Sequence, residues 1–68
     1  MKISARNVLK GTIVKVKKGA TTAHVDLEVG DQIVTASITN EAVEELGLKK
    51  GMSASAVIKS SDVMIAVK

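Results

Sequence analysis

The sequence predicts an all-β fold, a small barrel of five short strands in Greek-key order with one short helix. Three observations lead to this prediction. Several short stretches are rich in β-branched residues and alternate apolar with polar positions, and clusters that contain glycine separate many of them. Only one stretch, late in the chain, carries the capping and stop residues of a helix.

The first two strands are predicted to form a hairpin. Residues 8–17 are rich in β-branched side chains, and residues 17–21 contain the glycine expected of a turn. Over residues 23–29, apolar side chains alternate with polar ones, among them the only histidine, His24. We therefore expect the second strand to have a polar outer face on which His24 is exposed, rather than acting as a base or a metal ligand.

A third strand and the helix follow. A Gly-Asp turn precedes a β-like pattern at residues 33–38, which stops at Thr39. Thr39 or Asn40 can cap the helix, three glutamates favour its positive N-terminal half, and Gly47 supplies the stop.

Two further β-like segments complete the predicted barrel. Residues 52–59 alternate between two faces, residues 60–62 break the pattern, and residues 63–67 are apolar. Five short strands with one late helix are typical of the OB-like barrel, the fold of many oligonucleotide- and oligosaccharide-binding domains. Because no proline protects the strand edges, edge pairing between subunits is expected.

The composition predicts a single domain that assembles with other copies of itself. The 68 residues contain no cysteine and no aromatic residue, yet 46% of them are hydrophobic. A domain of this length buries only about 60% of its unfolded surface, so we expect apolar surface to be covered in an obligate oligomer. The chain has no long apolar run and no signal-like start, so a cytoplasmic domain without a membrane span is expected.

Side chains that donate hydrogen bonds cluster at three predicted strand ends. The clusters are residues 4–7, 37–40 and 59–61. A fully deprotonated oxyanion only accepts hydrogen bonds, so its site must be built from donors. The pattern is compatible with an oxyanion site, although Ser4 and Asn7 could instead satisfy backbone groups at a strand start, and Lys59 could be a solvated lysine.

An ordered series of motifs carries a family resemblance. The series is Ser4-Ala5-Arg6-Asn7, Lys17-Lys18-Gly19-Ala20, Ile38-Thr39-Asn40-Glu41, Gly51 and Ile58-Lys59-Ser60-Ser61-Asp62-Val63-Met64. Over essentially the whole chain, this series resembles the molybdate-binding Mop domain in the form of the single-domain molbindins. The resemblance implies one Mop domain over residues 1–68, with an OB-like barrel. It also implies a hexamer, a trimer of dimers, that holds molybdate or tungstate at subunit interfaces as a cytoplasmic store or buffer.

The resemblance also implies which residues contact the anion. Ser4, Ala5 and Arg6 match the family's first contacting segment, with side-chain donors at Ser4 and Arg6 and a backbone N–H at Ala5. Lys59 and Ser60 match the second segment. The metal is bound only as an oxyanion, and neither a separate metal site nor a catalytic cofactor is implied.

Thr39 matches a hydroxyl position that the family contributes from a neighbouring subunit. A serine found three residues later in some relatives is Ala42 here, which leaves one donor fewer. Helix capping alone also explains Thr39, so both roles stay open at this point.

Two other classes of function were weighed against anion binding. A net charge of +3 and a predicted barrel would suit an OB-like nucleic-acid-binding module, but such modules stack bases on aromatic residues, which are absent here. Catalysis is not expected, because the sequence shows no nucleophile paired with a base, no metal-ligand set and no phosphate loop.

Overall fold

The computed structural model describes all residues from 1 to 68. In chain order the elements are β1 (Asn7–Lys18), β2 (Thr22–Val29), β3 (Gln32–Thr39), α1 (Asn40–Leu46), β4 (Ser53–Ile58) and a single 3-10 turn (Ser60–Asp62). The prediction of a mostly β chain with one short helix after the third strand is confirmed. The helix has 7 residues, too few to cross a bilayer, which takes about 20.

The strands form one antiparallel sheet in the order β3-β2-β1-β4. Three strands joined by hairpins lie side by side, and the fourth returns through α1 to pair with the first. This is the Greek-key arrangement. It leaves β3 and β4 as the two edge strands of the sheet.

The structure contains four strands rather than the predicted five. Residues 63–67 have the apolar composition of a strand, but in this chain they pair with no other strand and every one of them is exposed. A strand is stabilised by hydrogen bonds to a neighbouring strand, and this segment has no such neighbour. The prediction of a fifth strand was therefore wrong for the single chain.

The long strand β1 changes partners along its length. Its first half pairs with β4, from Asn7 opposite Ile58 to Thr12 opposite Ser53, and its second half pairs with β2. The register with β2 shifts between Ile13 and Lys15, as at a β-bulge. β1 thus connects two regions that lie at opposite ends of the sheet.

Gly11 allows β1 and β2 to approach closely. A Cβ added to Gly11 would overlap the carbonyl oxygen of Glu28 and would lie 3.0 Å from Leu27 Cγ. Since the obstacle includes backbone, any larger residue would have to push the two strands apart.

The core is small and entirely aliphatic. Five residues of the chain are buried, namely Ile13, Ala23, Val25, Leu27 and Val43. Val43 is the contribution of α1, which packs its buried face against the sheet. Twelve large hydrophobic side chains are exposed, which is a large number for so short a chain and marks surface suited to contact with other proteins.

Candidate oxyanion-binding site

The entrance to β1 and the exit from β4 lie side by side. Asn7, the first residue of β1, pairs with Ile58, the last residue of β4. Because the two strands are antiparallel, residues 4–6 and residues 59–60 emerge from the same end of the sheet. We call this region the Arg6 end; it contains Ser4, Ala5, Arg6, Lys59 and Ser60.

The donors at the Arg6 end are exposed and unpaired. The side chains of Ser4, Arg6, Lys59 and Ser60 are all exposed, and none of them forms a hydrogen bond or an ion pair within the chain. Ala5, which lies between Ser4 and Arg6 in the sequence, is half-buried. The region therefore carries two cationic groups and two hydroxyls that are free to bind a ligand.

Asn7 holds the Arg6 end together. Its Nδ2 donates a hydrogen bond to the carbonyl oxygen of Ile58 at 3.2 Å, across the two strands. The carboxamide is half-buried and already engaged, so Asn7 positions the two donor segments. The sequence left Asn7 open as a donor to an anion or as a residue that satisfies a backbone group at the strand start, and the hydrogen bond confirms the second role. Its partner, 51 positions away, becomes visible only in the folded sheet.

Thr39 lies at the other end of the sheet. It pairs with Thr22, next to the end of β1, whereas Arg6 precedes the start of β1. The 12 residues of β1, at about 3.3 Å per residue, separate the two positions. One chain therefore does not bring Thr39 to the donors of the Arg6 end.

Thr39 is the cap of α1 and still has a proton to donate. Its Oγ1 accepts a hydrogen bond from the backbone N–H of Ala42 at 3.0 Å. A hydroxyl has one proton and two lone pairs, and no acceptor in the chain engages the Thr39 proton. Capping and donation to a ligand are therefore compatible in this side chain.

Asn40 fixes the turn between β1 and β2 against the start of α1. Its Nδ2 donates to the carbonyl oxygen of Gly19 at 2.9 Å, and its backbone N–H donates to that of Thr21 at 2.9 Å. Lys18 Nζ lies 3.4 Å from Glu44 Oε2. Asn40 Oδ1 is buried and has no hydrogen-bond partner. We call this region the Thr39 end; it contains Lys18, Thr39, Asn40 and Glu44.

The structure contains no cluster of metal ligands, and its one sizeable cavity does not suit an anion. No three His, Cys, Asp or Glu side chains come together in a group that could hold a metal ion. The one sizeable cavity is a groove of about 580 Å³ lined mainly by hydrophobic residues, which is unsuited to a dianion because a charge buried there would lack donors.

Comparison with known proteins places these features in a family. Residues 3–65 match the TOBE domain family. Molybdenum-pterin-binding protein 3 of Clostridium pasteurianum is 56% identical over 66 residues, which cover 96% of this chain and 97% of that protein. A solved apo structure of MopII from Clostridium pasteurianum has a TM-score of 0.90 at 52% identity, with 97% of this chain and 100% of that chain covered.

A second solved structure contains bound molybdate. The cytoplasmic molybdate-binding protein ModG, crystallised with molybdate bound, has a TM-score of 0.90 and 51% identity, covering 94% of this chain and 46% of that chain. The chain therefore belongs to the TOBE domain family and, within it, to the Mop proteins.

Proposed function

We propose that this protein binds molybdate and tungstate at interfaces between its subunits and serves intracellular molybdenum storage and homeostasis. The observation that carries the proposal is the Arg6 end, where two donor segments that are far apart in the sequence meet at one end of the sheet. The relatives support the choice of ligand, since they are named for binding molybdenum-pterin or molybdate.

The chemistry of the Arg6 end suits a tetrahedral dianion. Arg6 and Lys59 match its two negative charges, and the hydroxyls of Ser4 and Ser60 with the N–H of Ala5 supply further donors. Each hydrogen bond that involves a charged group contributes about 1.5–3 kcal/mol net. Several of them together offset the loss of hydration when the anion is enclosed.

Thr39 joins the site from a neighbouring subunit. It lies at the opposite end of β1 from Arg6, so its free proton reaches an anion at the Arg6 end only from another copy. Each chain then contributes its Arg6 end to one interface and its Thr39 end to another.

The assembly we propose is a hexamer, a trimer of dimers, in the cytoplasm, in which residues 1–68 act as one domain. The twelve exposed large hydrophobic side chains provide surface for these contacts. No catalysis is assigned to the chain, and no observation favours the OB-like nucleic-acid-binding alternative, because the chain has no aromatic residue on which a base could stack.

Calorimetric titration tests this function. Molybdate and tungstate are expected to give saturable heat, and sulfate much less, because it is smaller than the cavity that suits the other two. A short single-stranded oligonucleotide serves as the competing ligand. Saturable binding of the oligonucleotide, without a response to either metal oxyanion, would contradict the proposal.

Native mass spectrometry tests the assembly. The expected species has the mass of six chains of 7.1 kDa each, and it should persist when the anion is removed. A monomer at micromolar concentration would contradict subunit-interface binding even if the titration gave heat.

A further inference from the structure

Thr39 lies where the sheet alone restrains a residue weakly. It is the last residue of β3, which is an edge strand, so its backbone pairs on one side only, with Thr22 of β2. The residue is exposed, and a side chain that is free to rotate loses conformational entropy when it binds a ligand. A donor at such a place binds an anion better if other contacts already hold it in position.

Asn40 supplies this restraint through two hydrogen bonds to the β1–β2 turn, residues 19–21. Its backbone N–H donates to the carbonyl oxygen of Thr21 at 2.9 Å. This bond fixes the planar peptide group that joins Thr39 to Asn40. The Asn40 Nδ2 donates to the carbonyl oxygen of Gly19, also at 2.9 Å. The residue that follows Thr39 is therefore tied to the turn by both its main chain and its side chain.

The turn that accepts these two bonds is itself closed. The backbone N–H of Gly19 donates to the carbonyl oxygen of Thr22 at 2.7 Å. A Cβ added to Gly19 would lie 3.0 Å from the same oxygen, so the turn has little room to change. Because Thr22 also pairs with Thr39, the turn, Thr39 and Asn40 form one connected unit at this end of the sheet.

The Asn40 carboxamide contributes more to position than to stability. If it were turned over, its oxygen would face the carbonyl oxygen of Gly19, so the hydrogen bond determines its orientation. In this orientation Oδ1 is buried and has no hydrogen-bond partner. A buried acceptor without a donor is unfavourable and offsets much of what the Nδ2 bond contributes. Loss of the side chain should therefore change the stability of the fold only slightly.

The ion pair at the Thr39 end does not provide the same restraint. Lys18 Nζ and Glu44 Oε2 are 3.4 Å apart, and both side chains are largely exposed. Such pairs contribute little, because water competes for both partners. The pair also connects β1 to the middle of α1, whereas Asn40 connects the turn to the residue next to Thr39.

We propose that Asn40 is a positioning residue for anion binding. It does not contact the anion, and it holds Thr39 so that the free hydroxyl proton is directed to the site of the neighbouring subunit. This inference rests on the proposed function, in which Thr39 completes a site at the Arg6 end of another chain. It adds a residue whose effect on the anion passes entirely through Thr39.

Amide hydrogen exchange of the anion-free protein tests whether Asn40 holds Thr39. The backbone N–H of Ala42 donates to Thr39 Oγ1 at 3.0 Å, so its exchange rate reports how firmly the hydroxyl is held. Asn40→Ala should speed this exchange by about fivefold or more. Gln32→Ala removes an exposed carboxamide from the first residue of β3 and is the matched control, with no change expected. An unchanged rate in Asn40→Ala overturns the proposal.

A double-mutant cycle tests whether the effect on the anion passes through Thr39. In calorimetric titration, Asn40→Ala should raise the Kd for molybdate about three- to tenfold, which corresponds to one weakened hydrogen bond. The midpoint of chemical denaturation should change little. In a Thr39→Ala chain, the added Asn40→Ala should change the Kd by less than about twofold, because the group that Asn40 positions is already absent. Gln32→Ala should bind like the parent chain.

The outcomes separate this inference from the proposed function. If the parent chain does not bind molybdate, both are overturned. If the parent chain binds molybdate and Asn40→Ala binds it equally well, only the positioning role is overturned. That role is also overturned if Asn40→Ala weakens binding to the same extent with and without Thr39, since a general loosening of the fold would act in both chains.

Discussion

The two ends of β1 contain the same kinds of donor residue but use them differently. At the Arg6 end the cationic and hydroxyl side chains are exposed and make no bond within the chain. At the Thr39 end the corresponding groups are engaged, with Lys18 beside Glu44 and the Thr39 oxygen accepting from Ala42. The donors of one end are thus unpaired within the chain, whereas the groups of the other are engaged and leave the single proton of Thr39 free.

The largest effect is expected from removing a cation at the Arg6 end. Arg6→Ala or Lys59→Ala each deletes a charge-assisted hydrogen bond worth about 1.5–3 kcal/mol, so the Kd for molybdate should rise roughly ten- to hundredfold. Calorimetric titration measures the change. Lys50→Ala removes the same charge from an exposed turn and should leave the Kd within about twofold. If either variant binds like the parent chain, that residue does not contact the anion.

A smaller effect is expected at Thr39, and here two variants separate its two roles. Thr39→Ala removes both the cap and the free proton. It should therefore lower the free energy of unfolding by about 0.5–2 kcal/mol and also reduce the affinity for molybdate. Thr39→Ser keeps both groups and should restore both properties. Chemical denaturation and titration of the same samples give the two values. Weaker stability with unchanged affinity would leave Thr39 a cap and nothing more.

Asn7 should show a third and still smaller effect. Asn7→Ala removes the hydrogen bond to Ile58, with a loss of about 0.5–1.5 kcal/mol in unfolding free energy. Affinity for molybdate should fall with it, because the two donor segments are then less well held, while sulfate stays weak. Asn7→Asp sets a carboxylate oxygen against the carbonyl oxygen of Ile58, so it should lower the free energy of unfolding at least as much as Asn7→Ala. It should also weaken molybdate binding further, because the added charge repels the anion. If Asn7→Ala loses stability but binds molybdate like the parent chain, Asn7 does not position the donor segments.

The smallest effect is expected for the ion pair at the Thr39 end. Lys18 and Glu44 are 3.4 Å apart, and their side chains remain 48% and 68% exposed. Exposed pairs of this kind contribute about 0–1 kcal/mol, so Lys18→Met should change the thermal midpoint by no more than a few degrees. A larger loss that Glu44→Gln reproduces would show that the pair has a greater part in holding this end than its exposure indicates.

Local signals predicted the helix well. Thr39 caps α1, and Gly47 ends it with φ at 63°, a left-handed conformation that favours glycine. Each depends on neighbours within a few positions, so the sequence contains most of the information. The polar face of β2 is also as expected, with His24 exposed opposite Lys17 and Ser37.

Non-local features were harder to predict. The partner of the Asn7 side chain follows from the register between β1 and β4, and the burial of Asn40 Oδ1 follows from how α1 meets the β1–β2 turn. Residues 63–67 look like a strand because of their composition, but pairing requires an edge in reach, and composition cannot say to which chain that edge belongs.

The placement of the Arg6 end and the Thr39 end at opposite ends of β1 has a genetic consequence. If one site takes its cation from one chain and its hydroxyl from the next, an Arg6→Ala chain still supplies an intact hydroxyl to its neighbour, and a Thr39→Ala chain still supplies an intact cation. Two defective alleles expressed together would then rebuild some complete sites that neither forms alone. Intragenic complementation is therefore a property that this strand length makes available to the assembled protein.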